Sequence, residues 1–156
     1  MIFVTVGTHT QSFDRLLHEV DRLVGCRALK EKVVGQIGNS AYEPRNFKWF
    51  RFTSFDELNK LYDGADVMIT HGGAGSILNG LDRGTPVIAV PRLERYGEHV
   101  NDHQMDLVKF LEKKKKIIAV YDVRDLVKAI AAAKKRGRLR TENNVCAEIE
   151  KFLRSV

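Results

Sequence analysis

The chain has 156 residues, 44% of them hydrophobic and 29% charged, which suits one soluble globular domain with a sizeable core and is too short for two ordinary ones. Apolar runs reach only about five residues, too short to span a bilayer, and the two cysteines, Cys26 and Cys146, lie far apart without metal-ligand spacing, which points to two cytosolic thiols rather than a disulfide or a reactive thiol. The net charge of +6 is uneven: residues 1–108 hold 12 basic and 14 acidic residues, whereas residues 109–156 hold 14 basic and 6 acidic, a net of +8.

In chain order, "IFVTV" at 2–6 is a short β-branched run stopped by Gly7 and reads as a buried first strand, not a signal peptide. Phe13, Leu16, Leu17, Val20, Leu23 and Val24 then recur at helical spacing, with Ser12 as the expected cap. "KVVGQI" at 32–37 is a second strand, and "FKWFRF" at 47–52 a third with one buried face. A short helix over 54–65 opens with the capping box of Ser54 and Glu57. "DVMIT" at 66–70 is a strand, "SILNGLDRG" a helix closing at Gly84, and "TPVIAV" at 85–90 a strand ended by Pro91. The spacing predicts a helix over 101–114, a strand over 116–120, a helix from 122 stopped by Gly137, and a last helix over about 142–154. Strands alternate with helices, which argues for a parallel α/β sheet covered on both faces.

Two glycine-bearing loops, "GTHTQS" at 7–12 and "HGGAGS" at 71–76, fall at strand-to-helix turns. In a doubly wound sheet both lie on the carboxyl edge, where ligands bind. A helix start offers backbone N–H groups and a positive dipole end, which suit a phosphate, and Ser76 adds a hydroxyl. The alternative is that the glycines serve only tight turns and close packing. Neither loop matches G-x-G-x-x-G with a following acidic residue, nor a P-loop, which argues against NAD and ATP.

After Pro91, "RLERYGEHVNDHQ" brings Arg92, Glu94, Arg95, His99, Asn101, Asp102, His103 and Gln104 toward the same rim. Their mixture of donors and acceptors suits sugar hydroxyls, although Asn101 or Asp102 also reads as an ordinary helix cap. There is no nucleophile elbow, no zinc spacing among the five histidines, and no Asp-x-Asp metal motif. No cofactor or metal is expected.

"ADVMITHGGAGSILNGLDRGTPVIAVPR" followed by "EHVNDHQ" resembles the sugar-nucleotide-binding C-terminal half of glycosyltransferase family 28. The N-terminal "VTVGTHTQSFDRLL" is similar to its small stand-alone members. These include the catalytic subunit of the dolichol-linked N-acetylglucosamine transferase and bacterial subunits of capsule and exopolysaccharide synthesis that transfer galactose or glucuronate. The resemblance covers roughly residues 1–130. It implies a Rossmann-like fold, the C-terminal half of a GT-B enzyme, and therefore a half enzyme.

On that resemblance the chain is the donor-binding, catalytic subunit of a two-component glycosyltransferase. It moves a sugar from a UDP-sugar to a lipid-linked saccharide and works with a membrane-anchored subunit that supplies the acceptor half. This would hold it in the cytoplasm, peripheral to the inner face of the membrane. His71, Gly72, Gly73, Ala74, Gly75 and Ser76 would form the diphosphate loop, and Asp102, His103 and Gln104 would contact the donor sugar, with Arg92 and His99 beside them. Gly7, Thr8 and His9 would face the cleft, His9 being the candidate general base on this chain and a partner-supplied base the alternative. Asn79 stands where many members carry a glutamate for the ribose, and a neutral side chain forms a weaker bond there. A non-catalytic nucleotide-binding partner subunit is the rival reading.

The basic runs "KKKK" at 113–116 and "KKRGRLR" at 134–140 read either as solvated helix faces or as an attraction to anionic lipid or an acidic partner. No aromatic residues interleave with them, so nucleic acid is not supported. Residues 1–136 are expected to form the nucleotide-binding domain and 137–156 a basic helix that either packs on the sheet or docks on the partner.

Overall fold

A computed structural model describes residues 1–139 and 144–156. Six strands run in parallel: β1 (Ile2–Thr5), β2 (Val33–Gln36), β3 (Lys48–Phe50), β4 (Val67–His71), β5 (Val87–Val90) and β6 (Ile118–Ala119), in the order β3-β2-β1-β4-β5-β6. Strand order reverses between β1 and β4, so the crevice beyond their carboxyl ends is the place where a ligand enters such a sheet. Both glycine loops open onto it.

The sheet is covered on both faces because its side chains alternate between two apolar sets. Ile2, Val4, Val67, Ile69, Ile88 and Val90 point to one face and pack against α1 (Asp14–Gly25) and α5 (Leu126–Arg136). Phe3 and Met68 point to the other face, against α2 (Phe55–Gly64), and Val87 and Ala89 pack against α3 (Ala74–Leu81) and α4 (His103–Lys113).

The last helix, α6 (Val145–Ser155), belongs to this second layer. Val145 and Ile149 are buried with Ile77 and Leu107, and Phe152 stacks on Phe110 at 4.6 Å. Its apolar stripe is therefore covered by its own chain. Residue 140 of the second basic run and the expected helix start at 142 lie outside the described residues. The first run ends α4, and Lys134 to Arg136 end α5, where cations offset the negative pole of a helix.

Several boundaries differ from expectation for local reasons. β6 is two residues long rather than five, being an edge strand paired only with β5. The expected helix from 122 is one turn of 3-10 helix capped by Asp122, then α5, and Gly137 (φ +61°) ends it. Ser12 does not cap α1; its hydroxyl accepts from Ala41 N–H, and Ser40 Oγ takes Phe13 N–H instead. Only half of the capping box forms: Ser54 accepts from Glu57 N–H, but the Glu57 carboxylate turns to Lys60. Ser54→Ala is expected to lower stability by about 1 kcal/mol, and Glu57→Gln to change it by a few tenths, measured by urea denaturation. Both cysteines are unpaired and exposed. Among the described residues no helix is long and apolar enough to cross a membrane.

Candidate functional site

The helix α3 starts two residues earlier than its apolar pattern suggests, at Ala74, with Gly73 as the N-cap. The loop "HGGAGS" is therefore partly the first turn of a helix. The N–H groups of Ala74, Gly75 and Ser76 have no acceptor within that turn, and none takes them among the described residues.

The three glycines have different tasks. A Cβ on Gly73 would stand 2.3 Å from Nε2 of His71, and one on Gly7 (φ +73°) 2.6 Å from Cε1 of the same ring. A Cβ on Gly72 would stand 2.8 Å from Cβ of Gln104. These three positions are glycine because side chains of the protein itself fill the space. Around Gly75 nothing lies within 4 Å of the Cβ position, and the residue is exposed. Packing within the chain gives no reason for glycine there.

His71 was expected to face the donor, but it is only 9% exposed and supports both loops from beneath. Its ring lies 3.2 Å from the Thr70 hydroxyl. Burial, and then the nearby Arg92 cation, push its pKa down to about 4, so it is neutral.

Arg92 also departs from expectation. Its side chain is 0% exposed, and it donates from Nη2 to the Val6 carbonyl (2.7 Å) and from Nη1 to those of Gln11 (2.8 Å), Glu98 (3.0 Å) and Ser12 (3.3 Å). It joins the loop after β1 to the loop after β5 and has no face toward a donor sugar. Burial lowers its pKa to about 10, and it remains a cation at neutral pH. Glu98, also buried, holds the second loop from the other side: its carboxylate takes two bonds from Arg15 and one from Leu93 N–H. The sequence carries no signal for this clamp, because its members are scattered over the loop after β1, the loop after β5 and the first turn of α1.

Gln104 spends its carbonyl oxygen on two backbone donors, Gly72 N–H and Arg92 N–H, both at 3.1 Å. It fixes the spacing between the ends of β4 and β5, and its side-chain NH2 is the part left toward the crevice. Asp102 accepts from Glu94 N–H and Asn101 from His103 N–H, so both order the loop; Asp102 and His103 are exposed on the rim, as is Thr8. The Ser76 hydroxyl lies beside the Tyr62 phenol. Asn79 donates to the Gly75 carbonyl and accepts from Arg83, which also holds Asn59 and Asp63. The side chain at the ribose position is thus committed within the chain.

His9 and His99 come together with ring centroids 4.6 Å apart. Nδ1 of His9 accepts Gln11 N–H (3.2 Å), so the neutral ring carries its proton on Nε2. In that tautomer His9 presents an N–H donor at Nε2. Its pKa is lowered by burial, then by His99 and Arg92. Tyr96 (54% exposed) and Val100 (68%) stand out on the loop after β5, and Phe52 (52%) and Phe55 (76%) at the start of α2 beyond the edge strand β3. β3 ends at Phe50, two residues short of the strand expected over 47–52, so Phe52 lies beyond it.

The human UDP-N-acetylglucosamine transferase subunit ALG13 is 36% identical over 121 residues, 72% of this chain and 10% of that protein. The chain thus spans about a tenth of the length of the curated relatives it matches. The solution structure of ALG13 superposes with a TM-score of 0.66 at 16% identity, covering 97% of this chain and 94% of that one. The glycosyltransferase of kitacinnamycin superposes with a TM-score of 0.65 at 19% identity, covering 98% of this chain and 38% of the other. The fold is that of the C-terminal domain of GT-B glycosyltransferases. The model of the glycosyltransferase family 28 C-terminal domain matches residues 1–155, tail helix included, and the chain belongs to that family.

Proposed function

We propose that this chain is the donor-binding, catalytic half of a two-subunit UDP-sugar glycosyltransferase. The observation that carries the reading is the open first turn of α3 at the β1/β4 crevice, with three outward N–H groups and a glycine at 75 that no packing requires. Such a turn suits a diphosphate and stabilises it as a leaving group without a metal. Sugar contacts fall to the exposed rim, Asp102 and His103, and to the amide nitrogen of Gln104. The likeness to a human UDP-N-acetylglucosamine transferase subunit supports both the UDP-sugar and the need for a partner.

The acceptor is a lipid-linked saccharide, and the second subunit is membrane-anchored and holds this chain at the inner face of the membrane. The exposed apolar side chains of Tyr96 and Val100, on the loop after β5, support a partner at this edge of the sheet. Docking through the tail helix is restricted to its outer face, since Val145 and Ile149 are buried.

Calorimetry with UDP, UMP and ADP tests the reading. Gly73→Val does not isolate the phosphate contact, because its side chain collides with His71. Gly75→Val meets no neighbour and is expected to leave the melting temperature nearly unchanged while weakening UDP binding by roughly tenfold or more, about 1.4 kcal/mol. A folded Gly75→Val protein with undiminished UDP affinity contradicts the phosphate-loop reading. UDP binding without partner-dependent transfer leaves the chain a nucleotide-binding subunit instead.

A further inference from the structure

Two imidazoles at one edge of a crevice invite the question of which atoms they offer. Nδ1 of His9 accepts the N–H of Gln11, and Nδ1 of His99 accepts that of Asn101 at 3.4 Å. Each ring thus closes the same local turn, two residues forward, on its own loop. Protonating either Nδ1 would set two hydrogens against each other, so each ring is held as the Nε2–H tautomer. With Nδ1 turned back on the loop, Nε2 on the far side of the ring is the atom left for a ligand.

The two rings come from residues 90 apart in sequence, and Arg92 is what brings them into register. Its Nη1 bonds both the carbonyl of Gln11, whose N–H closes the first turn, and that of Glu98, which directly precedes the second. The other charged or titratable groups around the pair are His71 on β4, the Arg15–Glu98 ion pair, and Asp102 and His103 at the start of α4. His9 and His99 both bear electrostatically on His71, which lies directly beneath Gly7 and Gly73. The pair therefore borders the glycine loop. Two buried polar atoms without a partner among the described residues, Gln11 Oε1 and Arg92 Nε, belong to the same corner. An unfinished polar network is uncommon in a settled core and calls for an explanation.

We propose that His9 and His99 act together as two neutral N–H donors to the diphosphate of the nucleotide, with Arg92 as the residue that positions them. This rests on the UDP-sugar reading and adds to it a second set of donors, facing the α3 amides across the crevice between β1 and β4. In transfer, the bond from the anomeric carbon to the bridging phosphate oxygen breaks, and its electron pair stays on that oxygen. The acceptor oxygen forms the new bond and gives its proton to a base outside the pair. The imidazoles stabilise the added charge by hydrogen bonding and exchange no proton.

The experiment compares variants chosen by atom. In His9→Asn and His99→Asn the side-chain oxygen can replace Nδ1 as acceptor of the loop N–H, while the outward donor is lost. In His9→Gln the side-chain NH2 stands near the place of Nε2. UDP titrations are expected to show each Asn variant weakened by about tenfold to a hundredfold, and His9→Gln weakened far less, all with melting temperatures near wild type. Nitrogen-15 spectra of the histidine rings, with and without UDP, are expected to show protonated Nε2 and unprotonated Nδ1 at both residues. Absence of UDP binding by the wild-type protein overturns the nucleotide reading and this proposal with it. Normal UDP binding by both Asn variants, or rings protonated at Nδ1 in the UDP complex, overturns the donor pair alone and leaves the nucleotide reading standing.

Discussion

Replacing Arg92 by methionine is expected to lower stability by about 3–5 kcal/mol, because a buried acceptor left without its donor costs about 1–3 kcal/mol and several are orphaned at once. Methionine keeps much of the apolar stem, so the loss isolates the guanidinium. Four carbonyls, those of Val6, Gln11, Ser12 and Glu98, lose their donor where the side chain is wholly closed to water. The cation also sits 5.0 Å from the centre of the Phe13 ring, a contact that is lost as well. For a chain of this size the change corresponds to a fall in melting temperature of roughly 10 °C. Lysine, with three donors but no planar fork, is expected to fall between methionine and wild type. Calorimetric melting measures this. A methionine variant that melts within about 2 °C of wild type would mean that the loops close without the clamp.

The second large effect concerns pH. His71 has a folded-state pKa of about 4 against an ordinary value of 6.5. Between those values the unfolded chain takes up a proton that the folded chain refuses, so stability rises with pH across the window. The contribution is complete above 6.5 and is lost as pH falls toward 4. Its full size is about 3 kcal/mol. His9 is displaced in the same direction, again chiefly by burial, and adds to the slope. His71→Asn removes the main titrating group, at a cost in packing beneath Gly7 and Gly73. Urea denaturation of both proteins between about pH 7 and pH 4.5 is expected to show a steep loss for wild type and a shallower one for the variant. Parallel curves would assign the acid sensitivity to other groups.

The sequence by itself determined which elements form and in what order, and some of their ends. Alternation in "IFVT", "VMIT" and "VIAV" set two-faced strands, helical spacing from Leu16 to Leu23 set α1, and Ser54 and Gly137 marked a start and a stop. These signals are legible because each is written within a few residues, where propensity and periodicity act. The two glycine loops could be located for the same reason. What the glycines are for could not be read locally. Gly7 and Gly73 make room for His71, Gly72 makes room for Gln104, and only Gly75 is left without an internal neighbour. Arg92 looked like a rim residue because a cation after a strand end usually is one, yet the fold surrounds it with carbonyls from residues 6, 11, 12 and 98. The tautomers of His9 and His99 depend on turns whose register is fixed only when the loops after β1 and β5 meet. Contacts between residues far apart in the chain exist only once the order β3-β2-β1-β4-β5-β6 is in place. That order puts β1 beside β4, and this adjacency, absent from any local stretch of sequence, decides which polar groups face the crevice and which are enclosed to hold it open.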